Sequence, residues 1–268
     1  MLLAASIMGR RGKKWQLETT GREGMAKTVL GRAAICSITC FDTLSKQRGN
    51  AMLQLWHCHD ARSFRALWSL EELGLEYDLH MLPFPPRALR KDYMGENPLG
   101  TVPLLIDGDT RMTESTAIPH YLSTVHGGGR LARAPGDADY GAYLNWLHHG
   151  EATLTFPQTL VLRYAMFEPP ERRQPQVAED YKIWFLARLR LAEQTLADGR
   201  SHLLTSGFSN ADISVGYAVQ LALALRMEDD LPPNCLAWFE RLSGRDGFAR
   251  AKAAQEAALM AEGLEPTF

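Results

Sequence analysis

The chain of 268 residues is long enough for one or two domains with a substantial core. Hydrophobic content of 46% and charged content of 22% are those of a soluble globular protein, and a net charge of −2 points to neither nucleic acid nor an anionic membrane as a partner. No run approaches the roughly 18 apolar residues of a membrane span. Four cysteines (Cys36, Cys40, Cys58 and Cys235) are too few for a disulfide scaffold, which places the chain in a reducing compartment.

The near-neutral charge hides an asymmetry. Residues 1–50 hold nine Lys or Arg against three acids, so this head carries +6 and the remainder −8. The head shows no sustained helical or strand period. Its composition fits an organelle transit segment, and fits better a disordered tail or a non-native extension ahead of a domain starting at Met52. Cys36-x-x-x-Cys40 has no histidines nearby and reads as incidental.

Met52 to Trp56 reads as a strand and His57-Cys58-His59-Asp60 as the loop that leaves it. From Ala61 to Leu73 apolar residues recur at three- and four-residue spacing, the mark of a helix, with Gly74 as its C-terminal cap. Leu75 to Leu82 alternates as a second strand. Three prolines, Pro83, Pro85 and Pro86, break the chain, and a short helix follows around Leu89 to Met94. Next, Asn97-Pro98-Leu99-Gly100-Thr101-Val102-Pro103 leads into an apolar strand, Leu104 to Ile106, whose first residue suits a proline because it need not donate to the ladder. Asp107-Gly108-Asp109 supplies a hairpin turn, and Thr113-Glu114-Ser115 stands where a helix begins and where backbone N–H groups can hold a carboxylate. That helix runs to Val125 and ends at Gly127-Gly128-Gly129. The order is βαβαββα over residues 51–129, a small mixed sheet with helices on it.

Residues 130–137 read as a linker and 138–268 as all-helical. Helices are expected from Ala138 to Phe156 with a bend at Pro157, and from Val177 to Leu196. Ser209 and Asp212 form a capping box ahead of an almost wholly apolar helix, Ile213 to Leu225, with Phe208 and Ile213 placed as a hydrophobic staple. Two more helices close the chain.

These residues resemble the glutathione transferase family over about 52–261. The loop Asn97 to Pro103 is similar to the family's Asn-Pro-x-Gly-x-Val-Pro with its cis proline, Glu114-Ser115 to its Glu-Ser pair, and Ser209 to Asp212 to the capping box of its helical domain. The resemblance implies a thioredoxin-like N-terminal domain, an all-helical C-terminal domain, and glutathione as co-substrate bound between them. Val102 and Pro103 would pair with its cysteinyl part, while Glu114 and Ser115 would hold its γ-glutamyl end. It also implies a cytosolic homodimer that conjugates glutathione to small hydrophobic electrophiles. The electrophile would lie against the helix bearing Tyr140, Tyr143 and Trp146, with Tyr164 and Met166 as further candidates; aromatics at this spacing are more often plain core.

The reaction needs the thiolate of glutathione. Ala61-Arg62-Ser63-Phe64-Arg65 resembles the Ser-Arg-Ser-x-Arg of many bacterial and fungal members, but Ala61 stands where the first serine belongs. Ser63 is the remaining hydroxyl, either the catalytic donor to the sulfur or a helix cap. Arg62 is a candidate to lend positive potential in the glutathione site, and Arg65 reads as structural. Cys58 offers a thiol-disulfide or peroxidase alternative, although a structural thiol fits better. His57, Cys58 and His59, three consecutive residues, do not close a metal tetrahedron, and no metal is expected. A glutathione-binding module without transferase chemistry is the reading that Ala61 supports.

Overall fold

The computed structural model describes residues 52–267, and the expectations for residues 1–50 lie outside them. Strand β1 (Leu53–His57) alternates buried and half-buried positions and forms the middle of the sheet. It pairs in parallel with β2 (Tyr77–Met81) and antiparallel with β3 (Leu104–Asp107). A hairpin at Gly108 joins β3 to β4 (Thr110–Met112) and gives the order β2-β1-β3-β4. Between β1 and β2 runs α1 (Phe64–Leu73). Gly74 closes it in the left-handed conformation, its N–H bonding back to Glu71 and Leu70. After a short α2 (Pro86–Leu89) and a turn of 3-10 helix (Lys91–Gly95), the Val102–Pro103 bond is cis and opens β3; Phe84–Pro85 is cis as well. Helix α3 (Ala117–Val125) completes the βαβαββα order of a thioredoxin-like fold.

The helical half begins as one continuous path. Helix α4 (Tyr140–His148) widens into a π turn (His149–Thr155), tightens into α5 (Phe156–Leu162), and widens again over Arg163–Phe167. Pro157 sits in the first turn of α5, where its missing N–H costs nothing. Helix α6 (Pro175–Leu196) packs on α5, and α7 (Asn210–Ala224) runs through the centre, buried on nearly every side. Its capping box is complete: Ser209 Oγ accepts from the Ala211 N–H (3.2 Å) and Asp212 Oδ2 from the Ser209 N–H (3.0 Å). Phe208, just before the cap, lies against Trp68 of α1 at 6.1 Å between ring centres. After α8 (Pro233–Ser243), helix α9 (Asp246–Ala261) returns to lie on α1. Among the described residues no helix is long and apolar enough to cross a membrane.

Candidate active site

The turn between β1 and α1 is gripped from the helical half. Asp60 adopts a positive φ of 49°, and its polar atoms are all spoken for. Its carboxylate accepts from Lys252 Nζ (2.9 Å), Gln255 Nε2 (2.9 Å) and Gln220 Nε2 (2.8 Å), its N–H donates to Gln255 Oε1 (3.2 Å), and its C=O accepts from the Tyr217 hydroxyl (3.2 Å). Burial works to raise the Asp60 carboxyl, but Lys252 and the amide of Gln255 outweigh it and hold the group below its usual value. The result is a fixed corner that turns Ala61 and Arg62 toward a cavity of about 640 Å³.

Both halves of the fold wall that cavity. From the sheet side come Ala61, Arg62, Phe84, Arg87 and Val102; from the helical side come Thr159, Leu162, Arg163, Phe167 and Tyr217. Gly100 (φ 58°) lets the loop before Val102 pass the base of Arg87, since a Cβ there would stand 2.6 Å from the Arg87 Cβ. Among the described residues no backbone group pairs with the N–H or C=O of Val102, so a peptide edge lies open to the cavity beside buried Pro103. The N–H groups of Arg62 and Ser63 likewise have no backbone partner there and head the free end of α1.

Ser63 does not face this space. It is fully buried and makes no side-chain cap to α1, contrary to one of its two expected roles. Its Oγ lies 2.7 Å from His57 Nδ1 and accepts from the Cys58 N–H (3.3 Å). His57 Nε2 donates to Gln255 Oε1 (3.0 Å), which is itself fixed because the other end of that amide donates to Asp60. His57 Nδ1 is therefore the acceptor, and the Ser63 proton is committed to it. Burial brings the His57 pKa down from 6.5 to about 4, with the Gln255 bond opposing it. Between pH 6.5 and about 4 the unfolded chain takes a proton on His57 that the folded chain does not. Stability should thus fall on acidification through that window, by up to about 1.4 kcal/mol per pH unit. Asp212, pushed up to about 6 by burial, acts with the opposite sign, because there the folded form keeps a proton the unfolded form releases. Urea unfolding of wild type and His57→Gln at several pH values cancels that shared contribution; the acid slope is expected to be shallower in the variant.

The three consecutive residues His57, Cys58 and His59 diverge. His59 Nε2 pairs with Glu256 (2.9 Å), and the Cys58 thiol, wholly buried and raised by that burial, lies 3.7 Å from the Pro83 carbonyl. Among the described residues no three His, Cys, Asp or Glu side chains are grouped as metal ligands.

Arg65, read from sequence as structural, is completely buried and joins the two halves. Its Nη1 donates to Ser115 Oγ (3.1 Å) and to Glu151 (2.5 Å), its Nη2 to the Gly150 C=O (3.1 Å) and Thr155 Oγ1 (2.7 Å), and both Nε and Nη2 reach the Ser214 C=O. Glu151 also pairs with Arg62 Nη1 (2.8 Å), so one carboxylate from the first π turn links the cavity wall to Ser115 at the start of α3. Ser115 is buried there, while Glu114 beside it is exposed with its C=O accepting from the Ile118 N–H (3.0 Å).

The structure thus brings Arg62 and Val102 to one cavity and sets Ser115 behind them. The aromatics expected to receive the electrophile lie elsewhere. Tyr143 and Trp146 are core, with the Tyr143 hydroxyl 2.8 Å from His120 Nδ1, and neither they nor Tyr140, Tyr164 and Met166 line the cavity. On this helical path the cavity is lined instead beyond the first π turn, by Thr159, Leu162, Arg163 and Phe167. Tyr217 was concealed in sequence by an all-apolar helix, and Arg87 by a proline-rich loop with no period.

Residues 51–124 match the family model for the glutathione S-transferase N-terminal domain. Glutathione S-transferase 3 of Schizosaccharomyces pombe is 30% identical over 103 residues, which are 38% of this chain and 43% of that protein. Ure2p5 of Phanerochaete chrysosporium, cocrystallized with 1-(S-glutathionyl)-2,4-dinitrobenzene, superposes with a TM-score of 0.66 at 22% identity over 79% of this chain and 98% of that one. Glutathione S-transferase 4 of Zea mays is 30% identical over 197 residues, 68% of this chain and 82% of the maize protein. By that relationship this chain belongs to the glutathione S-transferase family.

Proposed function

We propose that this chain conjugates the thiolate of glutathione to small hydrophobic electrophiles, as a cytoplasmic homodimer with a detoxifying role. The observation that carries the reading is the cavity, in which an unpaired peptide edge at Val102 and the free end of α1 at Ala61 and Arg62 face an apolar wall of Phe84, Leu162 and Phe167. Glutathione would lie along Val102 and Pro103 as an added strand. Its γ-glutamyl carboxylate would meet the start of α3 at Glu114 and Ser115, and its glycine carboxylate would run the other way, past Gly100 to Arg87. The sulfur would then stand over the first turn of α1. Attack forms the carbon–sulfur bond, the leaving group departs with its electron pair, and the thiol proton goes to solvent.

Two sources of thiolate stabilisation compete. Ser63 is the hydroxyl that the resemblance offers, yet its burial and its bond to His57 favour the other source, the Arg62 guanidinium with the open N–H groups of α1. Ser63→Ala separates them. Expected is a loss of about 1–3 kcal/mol in stability, from the buried His57 nitrogen left without its donor, with turnover by the folded protein retained. A fall in kcat on the order of 100-fold would return the role to Ser63.

The decisive assay gives the full chain glutathione and a panel of aryl halides, isothiocyanates and hydroperoxides. Turnover of the first two classes is the expected result. Glutathione binding without turnover of any would overturn the transferase reading in favour of a regulatory module, which the lack of a hydroxyl at Ala61 supports. Activity confined to hydroperoxides or disulfides, abolished by Cys58→Ser, would establish the peroxidase or thiol-disulfide alternative, against which the buried, raised thiol of Cys58 argues.

A further inference from the structure

The second π turn builds the cavity wall that faces the glutathione edge. The Glu168 N–H bonds to the Arg163 C=O (2.9 Å), five residues back, and this wider turn sets Arg163, Phe167 and Glu168 on the cavity side together. Phe167 meets Phe84 from the sheet half at 5.3 Å between ring centres, so both halves contribute to the apolar part of the wall.

The charges of the cavity are uneven. Arg62, Arg87 and Arg163 line it, with Glu168 as the facing carboxylate. Arg62 is engaged at both ends of its fork, by Glu151 and by Thr159 Oγ1 (2.5 Å). Arg87 lies on the sheet side, in α2, where the loop through Gly100 passes its base. Arg163 is different. Glu168 takes its Nε (2.8 Å) and is held in turn by Arg172 (3.2 Å), which orients the guanidinium plane and shares the carboxylate's charge between two cations. Both terminal nitrogens of Arg163 have no hydrogen-bond partner among the described residues. An oriented fork with two free donors fits a carboxylate in the bidentate manner, and a planar acid suits Arg better than any other cation.

We infer that the second substrate is an aromatic electrophile bearing a carboxylate, its ring held by Phe84, Leu162 and Phe167 and its acid by the free end of Arg163. This rests on the transferase reading for its chemistry and on the wall alone for its selectivity. In the reaction the thiolate displaces a ring substituent; for an aryl chloride the carbon–sulfur bond forms, the carbon–chlorine bond breaks, and chloride leaves with the electron pair. The carboxylate takes no part beyond anchoring.

The test uses the full chain, glutathione, and two acceptors of the same shape, para-chloro-meta-nitrobenzoate and the corresponding benzamide. Each kcat/KM is divided by that acceptor's uncatalysed rate with glutathione, which removes the difference in ring activation. The benzoate is expected to be favoured about tenfold or more, the scale of a hydrogen bond to a charged group. Arg163→Gln should bring the ratio close to one, and Arg163→Lys should keep part of it. Equal preference in the wild type, or a preference that survives Arg163→Gln, overturns the inference. If neither acceptor turns over, the transferase reading fails and the wall is judged by binding. The ready-made glutathione conjugate of the benzoate should then displace bound glutathione better than that of the benzamide, by a similar factor that Arg163→Gln removes. Equal affinity for the two conjugates would again overturn it.

Discussion

Replacing Ala61 by serine is expected to raise kcat/KM with an aryl halide at neutral pH by about three- to fourfold, and to move the rising limb of its pH profile toward acid. An unperturbed thiol with a pKa near 8.5 is only a few per cent ionised at pH 7, so full ionisation offers a gain of roughly 30-fold at most. Part of that is lost again, because a thiolate of lower pKa is a weaker nucleophile, with a Brønsted slope of about 0.4–0.5. Position favours the substitution: Ala61 lines the cavity directly before Arg62, and the Asp60 corner fixes its direction through Lys252, Gln255 and Gln220. A new hydroxyl there would sit at the free end of α1 with no competing buried acceptor such as the one that claims Ser63. The pH dependence of kcat/KM for wild type and Ala61→Ser, on the same acceptor, is the measurement. An unchanged profile would mean that the sulfur does not lie over residue 61, and that glutathione binds in another register along Val102.

The contrast between residues 61 and 63 marks where sequence reading stops. Features fixed by neighbours in the chain were legible. The hairpin at Gly108, the Gly74 cap and the Ser209–Asp212 box each depend on a few adjacent residues whose backbone preferences agree. The βαβαββα order followed from the same local signals. What a side chain faces is another matter. The pattern Ala61-Arg62-Ser63 does not say that Ser63 turns inward, because that depends on His57, six residues earlier, and on Gln255, brought in by the last helix. Tyr143 and Trp146 recur at the spacing of a cavity wall but fill the core, since spacing tells which residues share a face of a helix and not what that face meets. Arg163 and Phe167 owe their position to the second π turn. Glu151, polar in the midst of a helical stretch, looks like a solvated face until Arg65 is seen beside it.

Arg65→Met should be the most destabilising single change in this region, by about 3–5 kcal/mol, the cost of breaking a buried charge network by removing one partner. For a protein of this size that corresponds to a fall in Tm of about 6–20 °C. The substitution keeps the volume but removes six hydrogen bonds from a site with no solvent exposure. It also removes the cation that lies 4.3 Å over the Tyr217 ring. The Ser214 C=O would lose its guanidinium donors and the Gly150 C=O would keep Thr155 Oγ1 (2.7 Å), at the closest approach of the π turn to α7, where a Cβ on Gly150 would stand 2.3 Å from Ser214 Oγ. Arg65→Lys should recover less than half of the loss, because an ammonium has three donors on a narrow cone and cannot serve five acceptors spread around a guanidinium plane. The cause is isolated by a second change. Glu151→Gln in the Arg65→Met background removes a half-buried carboxylate left with Arg62 as its ion-pair partner and should restore part of the stability, giving a clear coupling energy in the double-mutant cycle. Glutathione affinity should fall as well, since Ser115 and Arg62 both depend on the Arg65–Glu151 pair for their placement. Thermal unfolding of the four proteins with and without glutathione measures both effects. Strict additivity of the two substitutions would show instead that Arg65 acts through packing alone, and that the first π turn is held by its apolar contacts with α7.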